Sequence, residues 1–448
     1  MMAWVSIPLW CLVFNSGLNN KATPTPTFML GGVQVNEPDQ EHWAETVRQV
    51  GMNTVATTVY ARQQAWDSRE LVFSSEEGDL PLEIRAARAR DLQVVLVLRV
   101  ALEHAHPRNE HLWHGNIMPH DQAELTAWFE NYGKFVLHWA RICEREGVGV
   151  LAIGNEMKAL AATAQARPGR IRKQYYGTFI WQWLEKRRAK RFANQIEPYF
   201  LKDPARERYP NFKSYVRARY RATRTWARAA HLRPGPHTYR RMMQRRHFVN
   251  QLWLDLIARV RTVYSGKLTY AACFDSYQNV GFWHALDMIG INCYFPLHNG
   301  QEPMSYQQPG VLEQGWQQVL GGIDYYRKTQ GLEDKPYLFT ELGYTFRQHA
   351  TVQPWNYEGF SVIGPLVGKR RLVFWNQLAR NHEERALAVN ALYQTVQDRQ
   401  SPLAGILYWK LSTVKELEKY EPFMLHIGQD SRDPLQPTLM QFLSEKPR

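Results

Sequence analysis

The sequence is poor in cysteine. Its four, Cys11, Cys143, Cys273 and Cys293, share no metal-type spacing and build no disulfide framework. Cys143 falls on an amphipathic helical pattern, and Cys273 and Cys293 lie in neighbouring apolar stretches, so buried free thiols are expected. Long hydrophobic runs are missing too. The longest apolar segment near the start, "AWVSIPLWCLVF" (3–14), is too short to span a bilayer and has the size of a signal-peptide core. No Lys or Arg precedes it, no clear small-x-small site follows, and Trp10 before Cys11 makes a poor lipobox. Residues 1–27 are therefore read as a signal-like or linker segment. Export to the periplasm, the exterior or a membrane surface is expected, with cytoplasmic residence the alternative.

Several motifs of established chemistry are also absent. No G-x-G-x-x-G follows the first strand pattern, and no G-x-S-x-G elbow or H-E-x-x-H helix occurs. "GPLVGKR" (364–370) is one residue short of a phosphate loop and has no Ser or Thr after Lys369. His104, His106, His111 and His114 crowd one loop, but H-x-H and H-x-x-H without a cysteine or a helical frame are weak metal signals. No metal and no cofactor is expected. Nothing matches a nucleic-acid-binding motif.

Aromatic residues are abundant, with 16 Trp, which suits a large core and also clefts where flat rings meet the apolar faces of sugars. From residue 28, strand and helix patterns alternate. The strand candidates are 28–36, 52–60, 93–100, 148–156, 267–274, 285–297, 335–345 and 403–412. The third, "QVVLVLRV", is apolar throughout, as a strand buried on both faces must be. Between most of them lie helical patterns, such as Leu125, Trp128, Phe129, Tyr132, Phe135, Val136, Trp139 and Ile142. Eight βα units predict an α/β fold of the (β/α)8 TIM barrel type over 28–448.

Residues 161–250 interrupt this alternation. They hold 23 Lys and Arg against four acids, whereas the rest of the chain holds 32 against 38. A strongly basic, mainly helical insertion after strand 4 is thus carried on a mildly acidic body. Within it, "YYGTFIWQWLEKRRAKRF" (175–192) mixes aromatic and basic residues. That suits an anionic membrane surface or an acidic polymer, or a solvated hairpin over the barrel mouth.

Two apolar strands end on a carboxylate, at Glu156 in "LAIGNEMKAL" and Glu341 in "LFTELGYT". A barrel collects strand ends at one mouth, where active sites form. Two facing carboxyl groups are the machinery of glycoside hydrolysis, one protonating the leaving oxygen while the other attacks or stabilises the sugar cation. Asn155 beside Glu156 offers both a donor and an acceptor to a sugar hydroxyl.

"GNE" closing strand 4 and "TELGY" closing strand 7 resemble the signature of the retaining glycosidase clan with catalytic glutamates on those strands. More narrowly, "HLWHGNIMP" (111–119), "WFENYGKFVLHWA" (128–140), "LTYAACFD" (268–275) and "VGFWHALDMIGINCYFPL" (280–297) resemble glycoside hydrolase family 113, the β-mannanases. The resemblance implies a polysaccharide or oligosaccharide substrate, with Glu156 as acid/base and Glu341 as nucleophile. It also implies Asn155 on the 2-hydroxyl, Tyr294 orienting the nucleophile, and Trp409 beneath the −1 sugar. Trp113 and Trp283 are candidates for further sugar platforms, and Arg99, Glu103 and His104 for sugar contacts from the loop after strand 3. The basic insertion is not expected of a compact mannanase. An acidic exopolysaccharide or cell-envelope glycan is the alternative substrate, and a non-catalytic glycan- or membrane-associated scaffold is the second alternative.

Overall fold

The computed structural model describes residues 28–444, except 36, 75–77, 162–182, 184–186, 188–192, 201–206, 230–237, 300–304, 357–359, 364–370 and 375–377. The signal-like segment and the "GPLVGKR" run lie outside these residues, as does nearly all of 175–192. No described helix is long and apolar enough to cross a membrane.

Eight parallel strands close on themselves. β1 (Met29–Gln34), β2 (Thr54–Gln63), β3 (Gln93–Leu102), β4 (Val150–Asn155), β5 (Lys267–Cys273), β6 (Ile289–Cys293) and β7 (Tyr337–Leu342) pair in chain order. β8 (Phe360–Ile363) and β9 (Arg371–Phe374) form a separate antiparallel hairpin. β10 (Leu403–Ser412) is the eighth barrel strand, pairing with β7 on one side and β1 on the other. A two-residue β11 (Leu425–His426) extends its edge. The (β/α)8 barrel expected from the alternation is therefore what the chain forms.

Period-two alternation sorts the strand side chains. Met29, Val33, Ala56, Val95, Val97, Val150, Ala152, Ala271, Leu338 and Leu407 fill the barrel interior. Their neighbours Leu30, Val55, Leu96, Leu151 and Ile406 face outward into the helix layer. β1 approaches β2 so closely that a Cβ on Gly31 would lie 1.6 Å from the Thr54 carbonyl oxygen, so only glycine fits there. The ring is also sewn shut by Glu37. This buried carboxylate accepts from Ser412 Oγ at 2.6 Å and from the Thr413 amide at 2.8 Å, joining the ends of the first and last barrel strands.

The outer helices are α1 (Gln40–Gln49), α2 (Leu80–Arg88), α3 (Gln122–Glu146), α7 (Thr238–Arg261), α8 (Val311–Thr329) and α9 (His382–Arg399). α3 is capped by Asp121, whose side chain accepts from the Glu124 amide, and ends on Gly147 in the left-handed region at φ 71°. Between β5 and β6 the crossing is made by two short 3-10 turns, Tyr277–Asn279 and Trp283–Ala285, in place of a helix.

Within the basic stretch the described elements are helical: α4 (Lys158–Ala161) at its edge, α5 (Ala193–Phe200) and α6 (Phe212–Ala229). The next helix, α7, begins at Thr238, so the barrel layer reaches thirteen residues into the span read as insertion. Arginine-rich composition hid that start, because the first turns of α7 share the charge of the insertion while its apolar anchors Val249, Trp253, Leu256 and Ile257 come later. α10 (Leu435–Ser444) packs its Phe442 ring on Phe28 at 5.4 Å, covering the start of β1.

Candidate active site

Glu156 follows the last residue of β4, and Glu341 is the penultimate residue of β7. Glu156 adopts φ 50°, a left-handed conformation that costs a residue with a Cβ about 1 kcal/mol. Two hydrogen bonds hold the turn: the Glu156 amide donates to the Ala271 carbonyl at 2.8 Å, and the Met157 amide to Tyr270 Oη at 2.8 Å. Tyr132 Oη braces the strand from outside by donating to the Ile153 carbonyl at 2.7 Å. The local sequence G-N-E-M thus ends its strand on a sharp bend that turns the carboxyl side chain out of the sheet.

Glu341 is almost wholly buried. Arg99, near the end of β3, forms an ion pair with Glu341 Oε1. Tyr294 Oη donates to Glu341 Oε2 at 2.6 Å. Arg99 in turn lies over the Trp409 ring, with its guanidinium carbon 4.5 Å from the ring centroid. Side chains from β3, β7 and β10, and from the residue just after β6, therefore meet around one carboxylate.

The two glutamates share this environment. The Arg99 charge acts on Glu156 as well, and burial together with the Glu156 charge drives the Tyr294 phenol well above its usual range. Asn292 of β6 donates from Nδ2 to Asn155 Oδ1 at 3.0 Å and also hydrogen-bonds Glu156. Thr340 Oγ1 donates to Asn292 Oδ1 at 2.8 Å, which fixes the amide orientation. Asn155 is fully buried, and its Nδ2 has no partner among the described residues, so a donor is left over at the site.

His114 is a site residue that the sequence did not single out among its four loop histidines. It opens a 3-10 turn, His114–Asn116, and its Nε2 lies 3.4 Å from Glu156 Oε2. Burial works to raise the Glu156 pKa, but the neighbouring His114, the Arg99 charge and Asn292 outweigh it and hold the carboxyl below its usual value. In a reaction that needs Glu156 protonated, activity falls as pH rises through its pKa. His114→Ala is expected to raise that pKa and move the alkaline limb of the kcat/KM profile to higher pH. An unmoved limb would show that the histidine does not tune Glu156.

The other histidines of that loop do separate work. The His106 ring accepts from the Arg108 amide at 3.3 Å, His111 Nε2 meets Tyr209 Oη at 2.8 Å, and the His104 side chain is exposed. Among the described residues no group of three or more His, Cys, Asp or Glu could hold a metal ion.

The remaining candidates divide. Trp113 is partly exposed at the rim, its ring edge-on to His114 at 4.7 Å. Trp283 is corrected: it is buried in the core, its Nε1 donates to the Tyr277 carbonyl at 2.9 Å, and neither face is open to a sugar. The 3-10 turn that replaces a helix after β5 folds it inward. Glu103 and His104 are exposed at the outer end of β3, and neither bonds to either glutamate. Lys158 Nζ, two residues beyond Glu156, pairs with Asp275 Oδ2 at 2.5 Å, an ion pair bridging the ends of β4 and β5 that the sequence did not suggest. Asn292 was legible in principle, as a polar residue inside the apolar run "MIGINCYF".

The family model for Glycoside Hydrolase Family 113 matches residues 31–200 and 240–386, more than two thirds of the chain. The chain belongs to this family. As a family 113 glycoside hydrolase it departs from the common pattern between the two matched stretches, at 201–239, a narrower break than the 161–250 read from composition. Among solved structures, it is similar to the GH113 β-mannanase from Alicyclobacillus acidocaldarius, solved with ManMIm, at 16% identity and TM-score 0.56. That match covers 93% of this chain and 98% of that one. A second structure, named as a GH113 β-1,4-mannanase complex, aligns at 15% identity and TM-score 0.55, covering 94% of this chain and all of that one. At such identities these likenesses speak for the fold. No curated protein matches the chain in sequence.

Proposed function

We propose that this family 113 glycoside hydrolase cleaves β-linked, mannose-containing glycans with retention of configuration. One observation carries the reading: a buried carboxylate, Glu341, clamped by Arg99 and Tyr294 within the same charged cluster as Glu156. An ion pair and a phenolic hydrogen bond both favour the ionised form, which a nucleophile needs. In the first step Glu341 Oε attacks the anomeric carbon as the glycosidic bond breaks, and Glu156 gives its proton to the departing oxygen. In the second, Glu156 takes a proton from water, the water oxygen attacks the anomeric carbon, and the ester to Glu341 breaks. Proton transfer in the first step works against the stabilisation that His114, Arg99 and Asn292 give the ionised Glu156 carboxylate. The same stabilisation favours the ionised base that the second step needs.

The other residues serve binding. The unpartnered Asn155 Nδ2 suits the sugar 2-hydroxyl, whose hydrogen bond strengthens in the transition state. Trp409, with Arg99 and Lys410 over its ring at 4.5 and 4.6 Å, borders the −1 position, and Trp113 offers a rim contact. Mannan as substrate draws support from the relatives named as β-mannanases.

The test is the anomer first released from β-1,4-mannan or manno-oligosaccharides, followed by NMR before mutarotation. The β-anomer is expected. Initial release of the α-anomer would overturn retention. Release from other glycans with none from mannan would overturn the substrate class, and no release from any glycan would favour the scaffold.

A further inference from the structure

We propose that the exposed face of α6 is a docking surface for an acidic polysaccharide, a glycan carrying carboxylates on its sugar units. The choice of a glycan as polymer rests on the reading of the barrel above. α6 contains no Asp or Glu. At 100° per residue, Lys213, Arg217, Arg221, Arg224 and Arg228 fall within roughly 80° of its circumference. All five are exposed. Lys213, Arg217, Arg221 and Arg224 make no ion pair among the described residues. Steps of three or four residues place one cation per helical turn, about 5 Å apart along the axis, over about 16 Å from Lys213 to Arg224. That repeat is of the order of one sugar ring, so a chain with a charge on each unit meets a charge on each turn.

The opposite face explains why this row points outward. Phe212 and Tyr215 pack against Phe200 of α5, with ring centroids 5.7 and 5.4 Å apart, and Tyr215 also meets His111 at 5.3 Å. Trp226 packs on Trp66, and its Nε1 donates to the Asn116 carbonyl at 2.9 Å. Nearby acids are engaged elsewhere: Glu197 accepts from the Phe212 amide at 3.0 Å, and Glu110 bonds Tyr209 Oη. Asn116 closes the turn that begins with His114, so α6 is bolted to the turn flanking Glu156. The helix also lies wholly in 201–239, the stretch between the parts that the family model matches. The surface is thus an addition of this chain beside the shared site.

A lipid surface fits less well. A helix lying in a membrane interface must offer its apolar face to the acyl boundary, and here that face is spent on α5 and on Trp66. What remains is a row of fixed charges, whose attraction is electrostatic and falls with salt.

The experiment measures binding of fluorescent β-1,4-polymannuronate oligosaccharides to the full chain carrying Glu341→Ala, which separates docking from turnover. Binding that strengthens as salt is lowered is expected, and R217S/R221S/R224S should weaken it about tenfold or more. The same triple substitution in the otherwise wild-type chain should leave neutral manno-oligosaccharide hydrolysis unchanged. Equal affinity of the parent and triple-substituted chains, or no salt dependence, would overturn the proposal. So would capture by vesicles containing anionic phosphatidylglycerol with no polymannuronate binding. Failure of mannan cleavage with intact polymannuronate binding would instead count against the substrate reading alone.

Discussion

Glu341→Ala is expected to lower kcat on manno-oligosaccharides by at least about 10⁴-fold, the scale seen when a covalent nucleophile is removed. The loss has two parts. No ester to the anomeric carbon can form, and Arg99, nearly buried and stacked on Trp409, is left with an uncompensated charge where the transition state needs a negative one. The diagnostic readout is rescue. With an activated aryl β-mannoside and azide, the vacated space should admit the anion and give an α-mannosyl azide, the product of a single displacement. Turnover within tenfold of wild type would show that Glu341 is not the nucleophile. Circular dichroism would check that the loss is chemical, since this carboxylate also ties three strands together.

Glu156→Ala should behave differently, and the difference identifies its role. Removing a general acid and base costs about 10²–10⁴-fold. The cost in the bond-breaking step depends on how much help the leaving oxygen needs. Unactivated manno-oligosaccharides should show the full loss, whereas an aryl mannoside with a strongly acidic phenol should form the glycosyl-enzyme at close to the wild-type rate. Azide should then accelerate the second step and give a β-mannosyl azide, because it needs no base. A uniform loss across leaving groups, or an α-product, would remove Glu156 from this role. The substitution is also gentle on the fold, since the carboxyl side chain leaves the sheet at a bend held by backbone and tyrosine hydrogen bonds.

The barrel was legible because burial imposes patterns on strands. "VVLVL" in β3 has no polar face because the barrel interior covers one side and helices the other. Glu156 and Glu341 were legible for the converse reason, as charge ending an apolar run signals an opening. What remained hidden depends on contacts between distant segments. His114 reads as one of four loop histidines until the 3-10 turn brings it to Glu156, 42 positions on. Trp283 reads as a platform because a tryptophan in a loop after a strand carries no mark of which way that loop folds. The start of α7 was masked by composition, since arginines that belong to a barrel helix look like those of the insertion before it. The row of cations on α6 was visible as charge, but its orientation is fixed only by Trp226, Tyr215 and Phe212 on the other face.

Closure of the ring by Glu37, Ser412 and Thr413 bears on how the enzyme is made. Trp409 belongs to the strand that β1 must wait for, so during translation the first seven strands emerge from the ribosome with both edges open and the catalytic mouth unfinished. Long-range pairings of this kind are slow to form. Until residue 413 has cleared the exit tunnel, the nascent chain holds both glutamates but no complete enzyme.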